Sequence, residues 1–339
     1  MHFRNVAIES IAYVLPPHRV TSAYLEDQLA EPMQRLGIPH GRLEQLSGIK
    51  ERRWWDEGVR PSDLATEAAR MAIEKAEIDP QEIGCLINTS VCQDYLEPST
   101  AVFVHGNLGL AQTCMNYDVR NACLGFLNGM ANIGMLIDAG VIKYGIVVNG
   151  ETSRETVEAT IKRLHQPGTT LQDFFDNFAT LTLGSGSVAM VLAHTDVSRT
   201  GHRLEGAITM AATEHNQLCV GNIGGMKTDA HALLVAGTKL MAQTWQQAQE
   251  EFEGWGDENI AAYAPHQVSA RHTAAVIETI GITPSKVQLN FPWLGNIGPA
   301  ALPISLAQAA ESGKLASGDR VALLGIGSGL NSSIMSAIW

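Results

Sequence analysis

The chain has 339 residues, 45% of them hydrophobic and 17% charged, so it is able to bury a large core and is not intrinsically disordered. Its 35 acidic and 23 basic residues give a net charge of −12, which argues against nucleic acid as a partner because phosphate binding needs clustered Lys and Arg. Five cysteines in a chain of this length are not a disulfide framework. The N-terminal apolar run is interrupted by Arg4 and Glu9, and no clean apolar stretch of about 18 residues follows, so we expect a cytoplasmic protein without a transmembrane segment.

Runs of β-branched residues alternate along the chain with helix-forming segments, which predicts an α/β protein. The first half is predicted to contain a helix over 63–77 and strands over 85–91, 114–119, 144–150 and 187–194. The second half is predicted to contain helices over 236–252, 270–280 and 299–312, with strands over 259–265, near 286–291 and over 320–327. We expect these helices to cover mostly parallel sheets.

The order of elements in the first half resembles the order in the second half, although the residues themselves do not repeat. This pattern favours an internal duplication, and the alternative is the ordinary alternation of any α/β chain. Residues 154–182 and 200–235 fit neither half and are predicted to be insertions.

Segment 118–139 predicts a strand that ends at Val119 and a buried helix that starts near Cys123. A cysteine at a helix N-terminus faces unpaired N–H groups and the positive end of the helix dipole, and both favour the nucleophilic thiolate. The alternative for Cys123 is a small core residue, which is the common place of a free cysteine. The other cysteines are interpreted as structural; they are Cys85, Cys92, Cys114 and Cys219.

Three further segments carry polar groups or glycine turns after predicted strands. His266 follows the strand over 259–265, and open α/β sheets place chemistry at the carboxyl ends of strands. Asn296 lies in GNIGPA, where an ordinary turn residue is the alternative. GIGSG, residues 325–329, fits neither a dinucleotide fingerprint nor a nucleophile elbow, but such a turn is able to aim backbone N–H groups at an oxyanion. No Cys or His pair has metal-ligand spacing, so no metal is predicted.

Four segments together resemble the condensing enzymes of the thiolase superfamily, in the same order along the chain. They are DVRNACLGF around Cys123, APHQVS around His266, GNIGPA around Asn296 and the terminal LLGIGSG. GIKERRWW, residues 48–55, is similar to the early motif of the ketoacyl-ACP synthase III branch, and the resemblance spans essentially the whole chain. It implies the thiolase fold, a five-layer αβαβα arrangement of two pseudo-duplicated halves, residues 1–195 and 196–339, that commonly forms homodimers.

Within that branch, NTSVCQDYLEPST (88–100), HQVS and GNIGPA resemble the olefin-biosynthesis thiolases, which condense two long-chain acyl-CoAs head to head. The resemblance implies a non-decarboxylative Claisen condensation of two fatty acyl-CoAs to a β-keto acid or β-ketoacyl thioester. It implies no cofactor other than the CoA of the substrate, and downstream biosynthetic enzymes as potential partners. The alternative is a decarboxylative 3-oxoacyl-ACP synthase III that uses acyl-CoA and malonyl-ACP, although such enzymes resemble HQAN and GNTSAA at these positions. A third hypothesis is a catalytically silent thiolase-fold partner.

The resemblance also implies roles for individual residues. Cys123 is the nucleophile that accepts the first acyl group, and His266 and Asn296 polarise the second thioester carbonyl. The backbone N–H groups of Cys123 and Ser328 form the other oxyanion hole. Because a plain acyl-CoA does not lose CO2, a base must remove its α-proton, and the olefin-type enzymes place that base at Glu97. The alternative for Glu97 is an ordinary carboxylate before a helix, and its action in its own or the partner subunit's site stays open.

Substrate binding needs apolar side chains for the acyl chains and cations for the CoA phosphates. Phe174 and Phe178 are candidates for the acyl channel, with plain core packing as the alternative. Arg52, Arg53 and Arg271 are candidates for the CoA phosphates, with solvation at the surface as the alternative.

Overall fold

The computed structural model describes residues 1–222 and 225–339. Its strands are β1 (Val6–Val14), β2 (His18–Thr21), β3 (Glu51–Trp54), β4 (Ile83–Asn88), β5 (Met115–Asp118), β6 (Tyr144–Glu151), β7 (Gly186–His194), β8 (Arg203–Ala211), β9 (Cys219–Asn222), β10 (Gly225–Thr228), β11 (Ala262–Pro265), β12 (Arg320–Gly327) and β13 (Asn331–Ile338). Its α-helices are α1 (Ser22–Gln28), α2 (Ala30–Arg35), α3 (Arg42–Ser47), α4 (Pro61–Ala76), α5 (Thr100–Leu108), α6 (Gly125–Asp138), α7 (Arg154–Leu164), α8 (Leu171–Asp176), α9 (Ala230–Glu251), α10 (Ala270–Ile280), α11 (Phe291–Leu294) and α12 (Ala301–Glu311). Within these ranges, none of the helices has the length and apolar character needed to cross a lipid bilayer.

Nine strands form one extended sheet in the order β11-β12-β13-β8-β1-β7-β6-β4-β5. Its two parts, β11 to β8 and β1 to β5, are joined through one registered residue pair, Ala7 with Arg203. The prediction of mostly parallel sheets is wrong. Parallel pairing occurs between β4 and β5, β4 and β6, and β11 and β12, whereas the other neighbours are antiparallel. The reason is visible at β12 and β13, because a short turn joins them and a tight hairpin permits antiparallel pairing only.

Three large buried clusters of hydrophobic side chains define five layers. The first cluster packs α4 and α5 against one face of β4, β6 and β7. The second lies between the two parts of the sheet and includes α6 and α12. The third packs α9 and α10 against β8, β12 and β13. The order helix, sheet, helix, sheet, helix confirms the predicted αβαβα arrangement.

Helix α4 shows why an outer layer forms where it does. Its alanines at helical spacing are fully buried, which lets the helix approach the strands closely; they are Ala65, Ala68, Ala69 and Ala72. Gly150 of β6 is needed for the same approach, because a β-carbon there would lie 2.3 Å from the carbonyl oxygen of Pro61. The helix predicted over 63–77 is therefore confirmed, with its start at Pro61.

Most predicted elements are present. The strands predicted over 85–91, 114–119, 144–150, 187–194 and 320–327 correspond to β4, β5, β6, β7 and β12. The helices predicted over 236–252, 270–280 and 299–312 correspond to α9, α10 and α12, and the strand over 259–265 is shortened to β11. The strand predicted near 286–291 is wrong. Val287 makes one isolated bridge with Tyr263, and Pro292 in the first turn of α11 ends the extended backbone.

The two parts of the sheet are built in the same order. The series β1, α4, β4, α5, β5, α6, β6, β7 corresponds to β8, α9, β11, α10, the Val287 bridge, α12, β12, β13. The division of the chain between residues 195 and 196 stays a prediction. In the predicted insertion 154–182, α7 and α8 lie outside the nine-stranded sheet. The insertion predicted over 200–235 is wrong in part, because β8 is a strand of the sheet with Leu204 and Ile208 buried, whereas the β9–β10 hairpin is outside it. Residues 223–224 of that segment lie outside the described residues.

Candidate active site

Cys123 lies in the connection between β5 and α6, just before the first turn of the helix. The preceding residue, Ala122, has a left-handed backbone with φ of 45°, which is strained for a residue with a β-carbon. Close backbone contacts fix this connection. A β-carbon at Gly125 would lie 2.7 Å from the carbonyl oxygen of Thr89, and one at Gly327 would lie 3.4 Å from the nitrogen of Cys123. The thiol is thus held between the end of β4 and the turn that follows β12.

Cys123 is partly exposed as a residue, but its thiol is surrounded by protein atoms. Burial raises its pKa to about 12, and the nearby Cys219 and Glu151 side chains add to the increase. The expectation that the helix N-terminus favours the thiolate is therefore wrong for the resting site. A helix dipole contributes about 1 kcal/mol, whereas the loss of hydration of a buried thiolate costs several times more.

His266 directly follows β11, as the sequence predicts, and its backbone N–H donates to the carbonyl of Leu324 at 2.7 Å. The side chain is only 5% exposed. Burial lowers the pKa of His266 to about 3, and the neighbouring His272 contributes to the decrease. Its Nδ1 has no hydrogen-bond partner among the described residues. The imidazole is therefore neutral at physiological pH and is able to accept a proton.

Asn296 is held by its backbone on both sides. Its N–H donates to the carbonyl of Thr182 at 2.9 Å, and its carbonyl accepts from the N–H of Gly184 at 2.9 Å. The side-chain Oδ1 accepts from the N–H of Gly298 at 3.0 Å. Within the described part of the chain, Nδ2 makes no hydrogen bond, so this fixed amide presents a free donor at the site.

Glu151, which the sequence analysis did not identify, connects the separate parts of the site. It is the last residue of β6, is 5% exposed, and affects the pKa of Cys123 directly. A β-carbon at Gly298 would lie 3.8 Å from the carboxyl carbon of Glu151, and the backbone of Gly298 also interacts with His266. The structure thereby brings Cys123, His266 and the turn of Asn296 together. The sequence feature that could have identified Glu151 is its position as an acidic residue at the carboxyl end of a buried strand.

Two other residues lie beside Cys123. Ser328 begins the turn between β12 and β13, directly after Gly327, which packs against the Cys123 backbone. Its proposed oxyanion role therefore has a suitable location. Cys219, interpreted from the sequence as structural, is on the β9–β10 hairpin and is close enough to affect the pKa of Cys123. Across residues 1–222 and 225–339, no group of three His, Cys, Asp or Glu side chains is arranged to hold a metal ion.

Glu97 is not brought to Cys123 within this chain. It is on an exposed segment between β4 and α5, in which the side chain of Leu96 is 95% exposed. In the part of the chain that the structure describes, Glu97 forms no hydrogen bond or ion pair with Cys123, His266 or Asn296.

The three arginines predicted to bind CoA phosphates have different locations. Arg52 is 1% exposed and donates to the Ser22 hydroxyl and the Leu181 carbonyl, each at 3.1 Å. Arg52 is therefore a core residue, and the prediction that it binds CoA phosphates is wrong. Its guanidinium joins β3 to the segments that carry Ser22 and Leu181. Arg53 is partly exposed, and Arg271 is exposed near the start of α10. Only the latter two present a guanidinium toward solvent.

The aromatic candidates for an acyl channel pack in a separate cluster. Phe174 is fully buried among residues of α1–α3 and α7, and Phe178 packs against the same cluster. Phe174 thus has the core location that was its alternative interpretation. An open surface pocket of about 420 Å³ lies nearby, between α7, α8 and the β9–β10 hairpin, and its lining is mainly polar, with Asp173, Asp176 and Lys227 beside Met226.

Comparison with known proteins identifies the family. The model for the C-terminal part of 3-oxoacyl-[acyl-carrier-protein] synthase III matches residues 251–339. An acyl-CoA:acyl-CoA alkyltransferase of Xanthomonas campestris pv. campestris is 46% identical over 339 residues, and the alignment covers 100% of both chains. One of Shewanella oneidensis is 40% identical over 352 residues, again with 100% of both chains covered. A β-ketoacyl-[acyl-carrier-protein] synthase III of Neisseria meningitidis is 27% identical over 321 residues, covering 93% of each chain.

Solved structures agree with this. Cerulenin-bound OleA of Xanthomonas campestris superposes with a TM-score of 0.98 at 46% identity, covering 100% of this chain and 98% of that one. A cysteine-to-serine variant of that OleA with bound lauric acid and lauroyl-CoA gives a TM-score of 0.97 at 45% identity, covering 99% of this chain and 100% of that one. With the thiolase fold and end-to-end identity established, the chain belongs to the acyl-CoA:acyl-CoA alkyltransferase (OleA) family of ketoacyl synthase III-like acyltransferases.

Proposed function

We propose that this protein condenses two fatty acyl-CoA molecules head to head, without decarboxylation, to a β-keto acid for long-chain olefin biosynthesis. The observation that carries the proposal is end-to-end similarity to acyl-CoA:acyl-CoA alkyltransferases at 46% identity, against 27% for a synthase III. The grouping of a buried thiol, a neutral imidazole and a fixed amide donor at one place supports it. The reaction needs no cofactor besides the CoA of its substrates.

The first step transfers an acyl group to Cys123. The sulfur attacks the thioester carbonyl, and neutral His266 takes the thiol proton as the S–C bond forms. The backbone N–H groups of Cys123 and Ser328 stabilise the negative oxygen of the tetrahedral intermediate. When the bond to CoA breaks, the proton passes from His266 to the leaving CoA sulfur. His266 is then neutral again for the second step.

The second step joins the two acyl chains. Glu97 removes an α-proton from a second acyl-CoA, and N–H donors of His266 and Asn296 stabilise the enolate oxygen. The α-carbon attacks the acyl-Cys123 carbonyl, so a C–C bond forms while the C–S bond to Cys123 breaks, and the released thiolate takes up a proton, which balances the α-proton that Glu97 removed and later gives up. The product is a β-ketoacyl-CoA, and water hydrolyses its thioester to a β-keto acid and CoA.

Glu97 reaches a site, in this proposal, by formation of a homodimer. Strand β5 is an edge of the sheet, and Met115 and Tyr117 project from it with 39% and 37% of their surface exposed. Exposed apolar residues continue into the Glu97 segment, where Tyr95 is 50% exposed. An edge strand beside an apolar surface is suited to pairing with a second copy of the chain. In this proposal, the pairing brings the Glu97 segment of one subunit to the site of the other.

The deciding experiment is incubation of the purified protein with myristoyl-CoA as sole substrate. We expect release of CoA and formation of a long β-keto acid, detected by mass spectrometry directly or as the ketone left after loss of CO2. The Cys123→Ser variant is the control. Absence of CoA release until malonyl-ACP is added would instead support the decarboxylative synthase III. Absence of an acyl adduct on Cys123 would support the silent partner.

A further inference from the structure

Glu151 is a buried carboxyl group: burial raises its pKa, and the hydrogen bonds that its oxygens accept oppose this increase by stabilising the charged form. Its Oε1 accepts from the N–H of Val91 at 2.8 Å and from Asn149 Nδ2 at 3.0 Å, and its Oε2 accepts from the N–H of Cys92 at 3.2 Å. Among the described residues, no Lys, Arg or His lies within ion-pair distance of it. Burying a carboxylate without a neighbouring cation lowers the free energy of unfolding, which suggests that Glu151 has a role other than stability.

The donors connect Glu151 to the segment that carries Glu97. Val91 and Cys92 lie in the connection from β4 to α5, separated from the end of β4 at Asn88 by residues 89 and 90, and residues 93–97 follow them directly. Two N–H groups bound to one carboxylate fix the direction in which this segment leaves the sheet. The backbone carbonyl of Glu151 adds a contact, because it accepts from Trp55 Nε1 at 3.1 Å.

The carboxyl group of Glu151 also lies near the turn that carries Asn296. Gly298 has φ of 56°, and a β-carbon there would lie 3.8 Å from the carboxyl carbon of Glu151. The N–H of Gly298 is the group that fixes the Asn296 side chain, at 3.0 Å from its Oδ1. One side chain therefore accepts hydrogen bonds from the base-bearing segment and lies beside the turn that orients the amide donor.

We propose that Glu151 is a positioning residue for the condensation step, which holds the Glu97 segment and the Asn296 turn in their working arrangement. This inference rests on the proposed condensing function. If Glu97 acts in the partner subunit's site, the same carboxylate links the acyl site of one protomer with the base supplied to the other.

The carboxylate also acts on the thiol by its charge. Titratable groups near it are the Cys92 and Cys123 thiols, with Cys219 beside Cys123 and His266 beyond Gly298. A negative charge disfavours a nearby thiolate and raises the pKa of the Cys123 thiol. Replacing Glu151 by neutral Gln must therefore lower that pKa and increase thiolate formation at a given pH. A purely structural role would not cause this change.

The test compares Glu151→Gln with Glu151→Asp and with a matched control, Glu26→Gln. Glu26 is likewise buried and accepts two backbone N–H groups, from Gly41 and Leu43, each at 2.6 Å, in a different part of the fold. Three quantities are measured on the full-length protein: formation of acyl-Cys123 by mass spectrometry, condensation of myristoyl-CoA, and the rate at which iodoacetamide alkylates the Cys123 peptide.

For Glu151→Gln we expect condensation to fall about ten-fold or more while acyl transfer changes by less than about three-fold, because only the second step uses the positioned groups. Alkylation of Cys123 should become faster than in the wild type. Glu151→Asp keeps the charge and should keep the slow alkylation, and Glu26→Gln should match the wild type in all three measurements.

Condensation and alkylation both unchanged in Glu151→Gln would overturn the inference, as would an equal loss of acyl transfer and condensation with unchanged alkylation. Should Glu151→Gln fail to fold, Glu151→Asp decides alone: lost condensation with wild-type alkylation supports the inference, and wild-type condensation overturns it. A wild-type protein that does not condense myristoyl-CoA would refute the proposed function instead.

Discussion

Two neighbouring groups in the site have pKa values displaced in opposite directions by the same cause. Burial raises the pKa of the Cys123 thiol to about 12 and lowers that of His266 to about 3, so both are neutral in the resting protein. A thiolate–imidazolium pair is thus not the starting state. Proton transfer from sulfur to imidazole accompanies the attack on the thioester.

The pH dependence of acyl transfer tests this. Because the pKa of His266 is lowered, its neutral form is lost only as pH falls toward about 3, and the thiol ionises only far above neutrality. We expect the rate of acyl-Cys123 formation in a single turnover to be flat between about pH 6 and about pH 9. Rapid quenching followed by mass spectrometry measures it, with Cys123→Ser as the blank. A ten-fold rise per pH unit over this range would show attack by a preformed thiolate.

Replacement of Glu97 separates the two chemical steps. In Glu97→Gln, acyl-Cys123 should form at a rate near that of the wild type, because no α-proton is removed in that step. Condensation should fall about 100-fold or more, the usual contribution of a general base. Glu67→Gln, at an exposed position of α4, is the control. Condensation that survives in Glu97→Gln contradicts the assignment and favours a decarboxylative mechanism.

At the level of elements, local patterns predicted α4 and β12 well, because their apolar residues repeat with a clear period. The same patterns did not predict β1 and β13, and they placed β8 in an insertion. Gly206 in β8 and Ser332 in β13 weaken the apolar pattern, and these two strands are buried because they pair with each other across a long sequence separation. The same limit applies to the site. Cys123, His266 and Asn296 stand in recognisable motifs, whereas Glu151 and Cys219 acquire their relation to the thiol only when distant strands meet.

The correction at β3 leads to a stability prediction. Arg52 and Arg53 are neighbours in β3, but the former is buried and hydrogen-bonded while the latter is partly exposed. Arg52→Ala should lower the free energy of unfolding by about 3 kcal/mol, because it leaves a cavity and unpaired acceptors. Arg53→Ala should cost less than about 1 kcal/mol. Urea unfolding of both variants measures the difference, and equal losses of stability would show that the buried hydrogen bonds of Arg52 do not contribute more to stability than the partly exposed Arg53.

At the scale of the whole molecule, the site belongs to neither half of the chain alone. Cys123 and Glu151 come from elements that pack with the β1-to-β5 part of the sheet, whereas His266, Asn296 and Ser328 come from elements near β11 and β12. They meet around α6 and α12, the helices between the two parts of the sheet. Neither half expressed separately would therefore contain all the catalytic residues. In the proposed dimer, the site also needs Glu97 from a second copy of the chain.

Heterodimers determine which subunit supplies Glu97. A chain with Cys123→Ser is co-expressed with a chain carrying Glu97→Gln, and the mixed dimer is isolated through two different affinity tags. If Glu97 acts in the partner's site, the intact Cys123 of one chain meets the intact Glu97 of the other. One of the two sites then works, so condensation should recover to about half of the wild-type rate.

The reciprocal heterodimer pairs a wild-type chain with a chain carrying both substitutions. Here the only intact Cys123 meets a partner without Glu97, so action across the dimer predicts almost no condensation. Action within one chain reverses both results, because the wild-type chain then holds a complete site and the first heterodimer holds none. Acyl-Cys123 should form in both mixed dimers, which shows that each retains a folded acyl site. A protein that stays monomeric throughout, at the 36.5 kDa of a single chain, would refute the proposed pairing along β5.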